Sequence, residues 1–351
     1  MNELKLTGCP VCGSQREKES YDCPVCGAKS VFVRHFTSRD TFVSWKININ
    51  LKQEELMKKM QQECIKQNVF ALSNKGVACI SPADGSFHFV SKMNQNAKEK
   101  DVIQFSASER HSVTLLRNGK VRAEGDNDYG QCNVSHMTNV VNICAAARCT
   151  YAVTQEGKVI YAGAPVSTEI TSWNNISKVS CGTYHIIGIT KDGSVKIAGS
   201  ILDEAMKKKV FGWKNVIDVV GGADCTAALT TEGKVLFAGK EYDTRKEAEN
   251  WKNVTAIALE SLYLVGLNKN GQVLLAGTCK NAFLDLGRQE AKNWKDIVAI
   301  SCSRSGIAAL SKYGKLHIAG NVQGKKEIQE MYQENCENSM KLDLIKSAAM
   351  K

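Results

Sequence analysis

Two cysteine pairs near the start of the chain, Cys9-Pro-Val-Cys12 and Cys23-Pro-Val-Cys26, have the residue types and spacing that hold a metal ion. A Cys-x-x-Cys turn lets both thiolates bite one ion, and the glycines that follow, Gly13 and Gly27, permit the tight backbone path. Two such turns complete a tetrahedral four-sulfur shell, the ligand set of structural zinc. Ten residues separate the pairs, a short but workable span for a zinc ribbon over residues 1–30. The ion would supply the stability that so short a segment cannot draw from a core. A redox dithiol is the competing chemistry, and two copies of Cys-Pro-x-Cys-Gly argue against it. Four sulfur ligands leave no open position, so a catalytic zinc is not expected. The intervening Ser14–Asp22 stretch mixes both signs of charge and gives no preference for nucleic acid.

The rest of the chain is dominated by one recurring phrase. Asn118-Gly-Lys-Val-Arg-Ala-Glu-Gly125 returns as Glu156-Gly-Lys-Val-Ile-Tyr-Ala-Gly163, Asp192-Gly-Ser-Val-Lys-Ile-Ala-Gly199 and Glu232-Gly-Lys-Val-Leu-Phe-Ala-Gly239. It recurs as Asn270-Gly-Gln-Val-Leu-Leu-Ala-Gly277 and Tyr313-Gly-Lys-Leu-His-Ile-Ala-Gly320. The turn glycines, Gly119, Gly157, Gly193, Gly233, Gly271 and Gly314, are spaced by 38, 36, 40, 38 and 43 residues. A worn copy, Asn74-Lys-Gly-Val-Ala-Cys-Ile80, makes seven. An X-Gly step between alternating apolar residues predicts a two-residue hairpin turn, with glycine supplying positive φ. A third apolar stretch precedes each hairpin, as in Val140-Val-Asn-Ile143 and Val216-Ile-Asp-Val-Val220. Three or four short strands per unit, without a helical apolar period between them, predict propeller blades rather than a helical solenoid. The expected fold is all-β: a seven-bladed β-propeller over residues 68–351, preceded by the ribbon and one linking helix.

Four units are introduced by a tryptophan phrase, Trp173-Asn-Asn-Ile, Trp213-Lys-Asn-Val, Trp251-Lys-Asn-Val and Trp294-Lys-Asp-Ile. A ring of this size at one place in successive repeats is expected to plug the groove between blades rather than stack on a ligand. The stretches between each Ala-Gly step and the next tryptophan vary in length and are charged, as in Glu241–Glu249 and Leu202–Lys209. They are expected to cluster on one rim, the natural partner-binding face.

Ala123-Glu-Gly-Asp-Asn-Asp-Tyr-Gly-Gln131, followed by Val140-Val-Asn-Ile-Cys-Ala-Ala, resembles a regulator-of-chromosome-condensation repeat. Ser180-Cys-Gly-Thr-Tyr-His185 ahead of Asp192-Gly193 fits the same pattern, and the resemblance covers roughly residues 68 to 320. It implies a seven-bladed propeller. It fixes no single activity, because that family includes exchange factors, enzyme inhibitors and scaffolds. Only one unit carries the full Gly-Gln element, and the place of His111 and His185 is taken by Cys149, Cys225, Tyr263 and Gly306 elsewhere. His111, Cys149, His185 and Cys225 each lie eight residues before a turn glycine. Equivalent positions in neighbouring blades stand too far apart for metal bonds of about 2.0–2.3 Å, so packing between blades is expected there.

Residues 31–67 form a linker. Phe32, Val33, Phe36 and the stretch Phe42–Ile49 read as strands, and Lys52–Gln67 reads as a helix. Its stripe of Leu56, Met57, Met60, Cys64 and Ile65 would dock it on the disc. Met340–Ser347 could complete the first blade and close the ring. A net charge of +10 permits contact with a polyanion, but the cations are dispersed and the densest cluster is Lys207-Lys-Lys209. No apolar run approaches the ~20 residues that cross a bilayer. The start lacks an apolar signal core, and fourteen cysteines suit a reducing compartment, so a cytoplasmic location is expected. No phosphate loop, no metal-binding histidine pair at helical spacing and no nucleophile–base set is found, and no small-molecule substrate is inferred. The expected function is non-enzymatic: a scaffold binding a protein partner through one rim. The alternative is a nucleic-acid-associated or guanine-nucleotide-exchange-factor-like regulator.

Overall fold

A computed structural model describes residues 102–199, 204–240, 243–260, 263–277, 287–303, 306–311, 315–322, 325–326 and 328–330, and the backbone of three earlier strands. Cys9, Cys12, Cys23 and Cys26, the helix expected over 52–67 and the strand expected over 340–347 lie outside the described residues. No helix among the described residues is long and apolar enough to cross a membrane.

The described strands assemble into seven three-stranded antiparallel sheets, each with its strands in chain order. Sheet 1 holds β1 (Ala71–Ser73), β2 (Gly76–Ile80) and β3 (Phe87–Ser91). Sheet 2 holds β4 (Val102–Ala107), β5 (His111–Leu116) and β6 (Val121–Gly125). Sheet 3 holds β7 (Val140–Ala145), β8 (Cys149–Thr154) and β9 (Val159–Gly163). Sheet 4 holds β10 (Ile176–Cys181), β11 (His185–Thr190) and β12 (Val195–Gly199). Sheet 5 holds β13 (Val216–Gly221), β14 (Thr226–Thr230) and β15 (Val235–Ala238). Sheet 6 holds β16 (Val254–Leu259), β17 (Leu264–Asn268) and β18 (Val273–Ala276), and sheet 7 holds β19 (Ile297–Ser303), β20 (Gly306–Ser311) and β21 (Leu316–Gly320). The first strands lie against one another from sheet to sheet, and β1 touches both β4 and β19.

The second strands are buried along most of their length, because both of their faces meet a neighbouring sheet. Each junction between successive sheets from 2 to 7 therefore has its own apolar cluster. Between sheets 3 and 4 it contains Tyr151, Val153, Ile170, Trp173, Val179 and Ile186. Between sheets 5 and 6 it contains Leu229, Phe237, Val254, Ile257 and Leu264, with Trp251 packed against it. Trp173, Trp213 and Trp294 are buried, as the plug reading requires. The glycines at 188 and 266 make room: a side-chain carbon at Gly188 would stand 2.9 Å from the Trp173 ring, and one at Gly266 2.5 Å from Trp251. Burying one large apolar side chain contributes roughly 1.5–3 kcal/mol, so these junctions dominate stability.

The repeated glycine turn is also a latch. Gly119, Gly157, Gly193, Gly233 and Gly271 all have positive φ, and each carbonyl accepts a hydrogen bond from the first strand of the following sheet. Val140 N donates to Gly119 O at 3.0 Å and Val216 N to Gly193 O at 2.9 Å. The residue just before each of these donors is left-handed: Asn139, Asn175, Asn215, Asn253 and Asp296, with φ between 54° and 62°. This explains why the third residue of the tryptophan phrase is Asn or Asp, the non-glycine residues that tolerate that conformation best. One residue later the register slips, leaving Ile103, Val141, Ser177, Ile217, Thr255 and Val298 as recurrent bulges.

Two expectations change. In sheet 1 the Asn74-Lys75 step joins the first and second strands, whereas the glycine turns of the later sheets join the second and third. The corresponding connection in sheet 1 is 81–86, which carries Asp84-Gly85. The worn copy Asn74–Ile80 therefore falls on the first hairpin of its sheet instead of the second, because one short glycine-bearing step looks like another in sequence. The described parts of the charged insertions are short helices rather than irregular loops. They are α1 (Glu204–Phe211) and three 3₁₀ turns, Thr168–Ser172, Thr244–Asn250 and Arg288–Asn293. Each lies along the third strands, covering the outer edges of the sheets.

Candidate functional site

The position singled out in sequence starts the second strand of sheets 2, 3, 4 and 7 and lies one residue before it in sheets 5 and 6. His111 pairs across the hairpin with Gly125, Cys149 with Gly163, His185 with Gly199 and Gly306 with Gly320. His111, Cys149, His185, Cys225 and Tyr263 are all buried. Gly125, Gly163, Gly199, Gly277 and Gly320, at the ends of third strands, have positive φ, and the paired strand lies close over them: a side chain at Gly125 would meet the His111 backbone at 2.8 Å.

These side chains do not converge. His111 Nε2 lies 2.8 Å from Thr150 Oγ1 in the next sheet, and Nδ1 lies 3.1 Å from Ser108 Oγ. Neither ring nitrogen of His185 has a hydrogen-bond partner. Burial pulls its pKa down to about 4 against the opposing pull of Asp224, so the ring is neutral. Burial likewise pushes the Cys149 and Cys225 thiols up to about 12, which leaves both protonated and poor nucleophiles.

Among the described residues, Asp224, Cys225 and Asp243 bring three potential ligand atoms within 4.8 Å of one another. Arg245 already fills that space. Its Nη2 donates to Asp243 Oδ2 at 2.6 Å and to Asp224 Oδ1 at 2.9 Å, and its Nε donates to Asp243 Oδ1 at 2.8 Å. A nearly buried guanidinium with two carboxylates is an ion-pair network that anchors the Thr244–Asn250 turn, and its charge repels a cation.

One exposed face is formed by the connections between first and second strands and by the ends of the third strands. It carries Arg110, Arg148, Tyr129 and Tyr184. Tyr184 is 51% exposed and Tyr129 41%, the two large exposed aromatics on that side among the described residues. Arg148 stacks over the Tyr129 ring at 4.8 Å, and Arg110 Nη1 donates to Asp126 Oδ2 at 2.7 Å. The Asp126–Gln131 turn is tied by its own side chains. Asp128 N donates to Asp126 Oδ1, Cys132 N to Asn127 Oδ1 and Tyr129 N to Gln131 Oε1. The Asp128 amide, with Arg110, holds the Asp126 carboxyl below the usual range. Sequence reasoning found this segment as a repeat element but missed that it presents an aromatic–arginine pair. Stacking across residues 129 and 148 leaves no local signal.

Residues 102–131, which hold sheet 2 and the Asp126–Gln131 turn, match the family described as regulator of chromosome condensation (RCC1) repeat. The fold is similar to that of Prp20p from Saccharomyces cerevisiae, at 14% identity and a TM-score of 0.51 over 74% of this chain and 84% of that one. It is similar also to the ectodomain of the Physcomitrella patens receptor kinase CR4, at 12% identity and a TM-score of 0.55 over 72% of each chain. At such identities the likeness is one of fold. The protein has a β-propeller fold, and its residues 102–131 carry the match to the regulator-of-chromosome-condensation repeat.

Proposed function

We propose that this chain is a non-enzymatic interaction module, a closed seven-bladed propeller that binds a protein partner through the face carrying Tyr129, Arg148, Arg110 and Tyr184. The observation that carries the reading is the division of labour among its polar and aromatic groups. The tryptophans and the His/Cys position are spent inside the junctions, and the Asp224 and Asp243 carboxylates are spent on Arg245. Tyrosine and arginine, the residue types enriched at binding hot spots, meet on that exposed face, where Arg148 stacks over Tyr129. The contacts of β1 with β4 and β19 support closure of the ring. A structure of Prp20p is described with binding to Gsp1p and histones, which suits a protein partner here.

In the same reading Cys9, Cys12, Cys23 and Cys26 hold a structural zinc, since four thiolates form the donor set that zinc prefers, and the ribbon serves as a second contact or tether. The protein would work in the cytoplasm. Metal analysis should find about one zinc per chain, lost when Cys9 and Cys12 become serine; absence of metal from the unaltered chain ends the ribbon reading.

Affinity capture tests the face. The intact chain should retain a partner that Tyr129→Arg/Tyr184→Arg loses at an unchanged melting temperature, while Lys191→Glu on the hairpin-turn side keeps it. Equal retention by all three would refute the choice of face. The net charge of +10 keeps the exchange-factor or nucleic-acid reading in play. Accelerated nucleotide release from a small GTPase, or retardation of DNA or RNA at low salt, would favour it.

A further inference from the structure

Each junction places the fifth residue of one first strand beside the sixth residue of the next. Hydrogen bonds mark the spot at two junctions: Ala145 N donates to Ser106 Oγ at 2.9 Å, and Gly221 N to Ser180 Oγ at 3.4 Å. The same place is filled by Val220 and Leu259 between sheets 5 and 6, and by Ala258 and Cys302 between sheets 6 and 7. Between sheets 3 and 4 both residues are cysteines, Cys144 and Cys181. Side chains alternate along a strand, so Cys144 points from sheet 3 toward sheet 4, and Cys181 points back. Both pack against the apolar cluster of that junction. Both are partly exposed and both are free thiols.

We propose that Cys144 and Cys181 are a modification site, a dithiol that a hydroperoxide converts into a disulfide stapling sheet 3 to sheet 4. Burial and the neighbouring Cys144 hold the Cys181 proton, so the first attack falls to Cys144. Its thiolate attacks the peroxide and breaks the O–O bond; Cys144 becomes a sulfenic acid and the released oxygen leaves as water. Cys181 sulfur then attacks the sulfenic sulfur, forming S–S as its proton and the hydroxyl depart as a second water. Two thiols and one hydrogen peroxide give one disulfide and two waters. The bond joins residues already held by two sheets, and it locks the junction against separation.

The full-length chain, reduced, then treated with hydrogen peroxide and alkylated, should yield on tryptic digestion a peptide ending at Arg148 linked to one beginning at Val179. Cleavage after Arg148 separates Cys144 from Cys149. The link should vanish with dithiothreitol and in Cys144→Ser, and persist in Cys132→Ser, which removes the other cysteine of that peptide. Serine is the residue already at positions 106 and 180, so Cys144→Ser is expected to fold. Oxidation should raise the melting temperature of the unaltered chain by about 2–4 °C and leave that of Cys144→Ser unmoved. Recovery of Cys144 and Cys181 as separate alkylated or over-oxidised residues would overturn the proposal. So would a link between Cys144 and Cys149.

Discussion

His111 and His185 begin the same strand in sheets 2 and 4, yet one ring is held at both nitrogens and the other at neither. The difference lies in what surrounds them. His111 has Ser108 three residues earlier and Thr150 in the next sheet. Around His185 the corresponding residues are Gly182 and Thr226, and the Thr226 hydroxyl donates to Val220 O instead. Gly182 is there for space: a side-chain carbon would lie 2.6 Å from His185 Nδ1 and would also run into the Gly222 carbonyl. Equivalent positions in a repeat share a backbone without sharing chemistry. The same lesson covers the first-strand position that is Ser106 in one sheet and Cys144 in the next.

The comparison breaks most sharply at Gly182. If the two sites were interchangeable, Gly182→Ser would give His185 the partner that Ser108 gives His111. The packing predicts the reverse, a loss of about 2–4 kcal/mol in urea unfolding, because the ring and the Gly222 backbone cannot both move aside. A stability equal to or above that of the unaltered chain would show the pocket to be looser than described.

Exchanging each ring for phenylalanine sharpens the contrast. His111→Phe should cost about 2–3 kcal/mol, since two hydrogen bonds disappear and the site stays buried. His185→Phe should stay within about 1 kcal/mol of the unaltered chain or exceed it, since no bond is lost and two unpaired nitrogens are removed. Equal losses at both sites would erase the distinction.

The titration of His185 has a defined sign. Its folded pKa, about 4, lies below the ordinary value of 6.5, so the unfolded chain binds the extra proton first. The contribution is complete above about pH 6.5 and is lost as pH falls toward 4, at up to about 1.4 kcal/mol per pH unit. His185→Phe should flatten that slope, and His111→Phe should leave it in place. Urea midpoints measured across the window decide the matter.

The smallest effect belongs to the latch. Asn215 sits at φ 57°, so Asn215→Val should cost about 1–2 kcal/mol and Asn215→Gly a few tenths at most. Similar losses for both would mean that the side chain, not the backbone, holds the latch.

Much of this architecture was legible from residues alone, for a local reason. A turn glycine with positive φ, flanked by alternating apolar residues, carries its geometry within a few positions. Gly119, Gly157, Gly193, Gly233 and Gly271 therefore announced their hairpins. The tryptophan plugs were legible too, because a large ring at a fixed place in a repeat must be buried somewhere. The bulges at Val141 and Ile217 and the helical form of the insertions carried no such mark. Nor did the register of sheet 1, where one glycine-bearing step competes with another.

By itself, the sequence determined the period, the strands and the all-β repeat architecture, because backbone conformation answers to near neighbours. Tertiary structure alone decided which side chains meet. His111 with Thr150, Lys178 with Asp218 at 2.6 Å and Cys144 beside Cys181 are partners from different sheets, about one repeat apart in the chain. Such pairs exist only once two sheets are pressed together by the apolar burial between them.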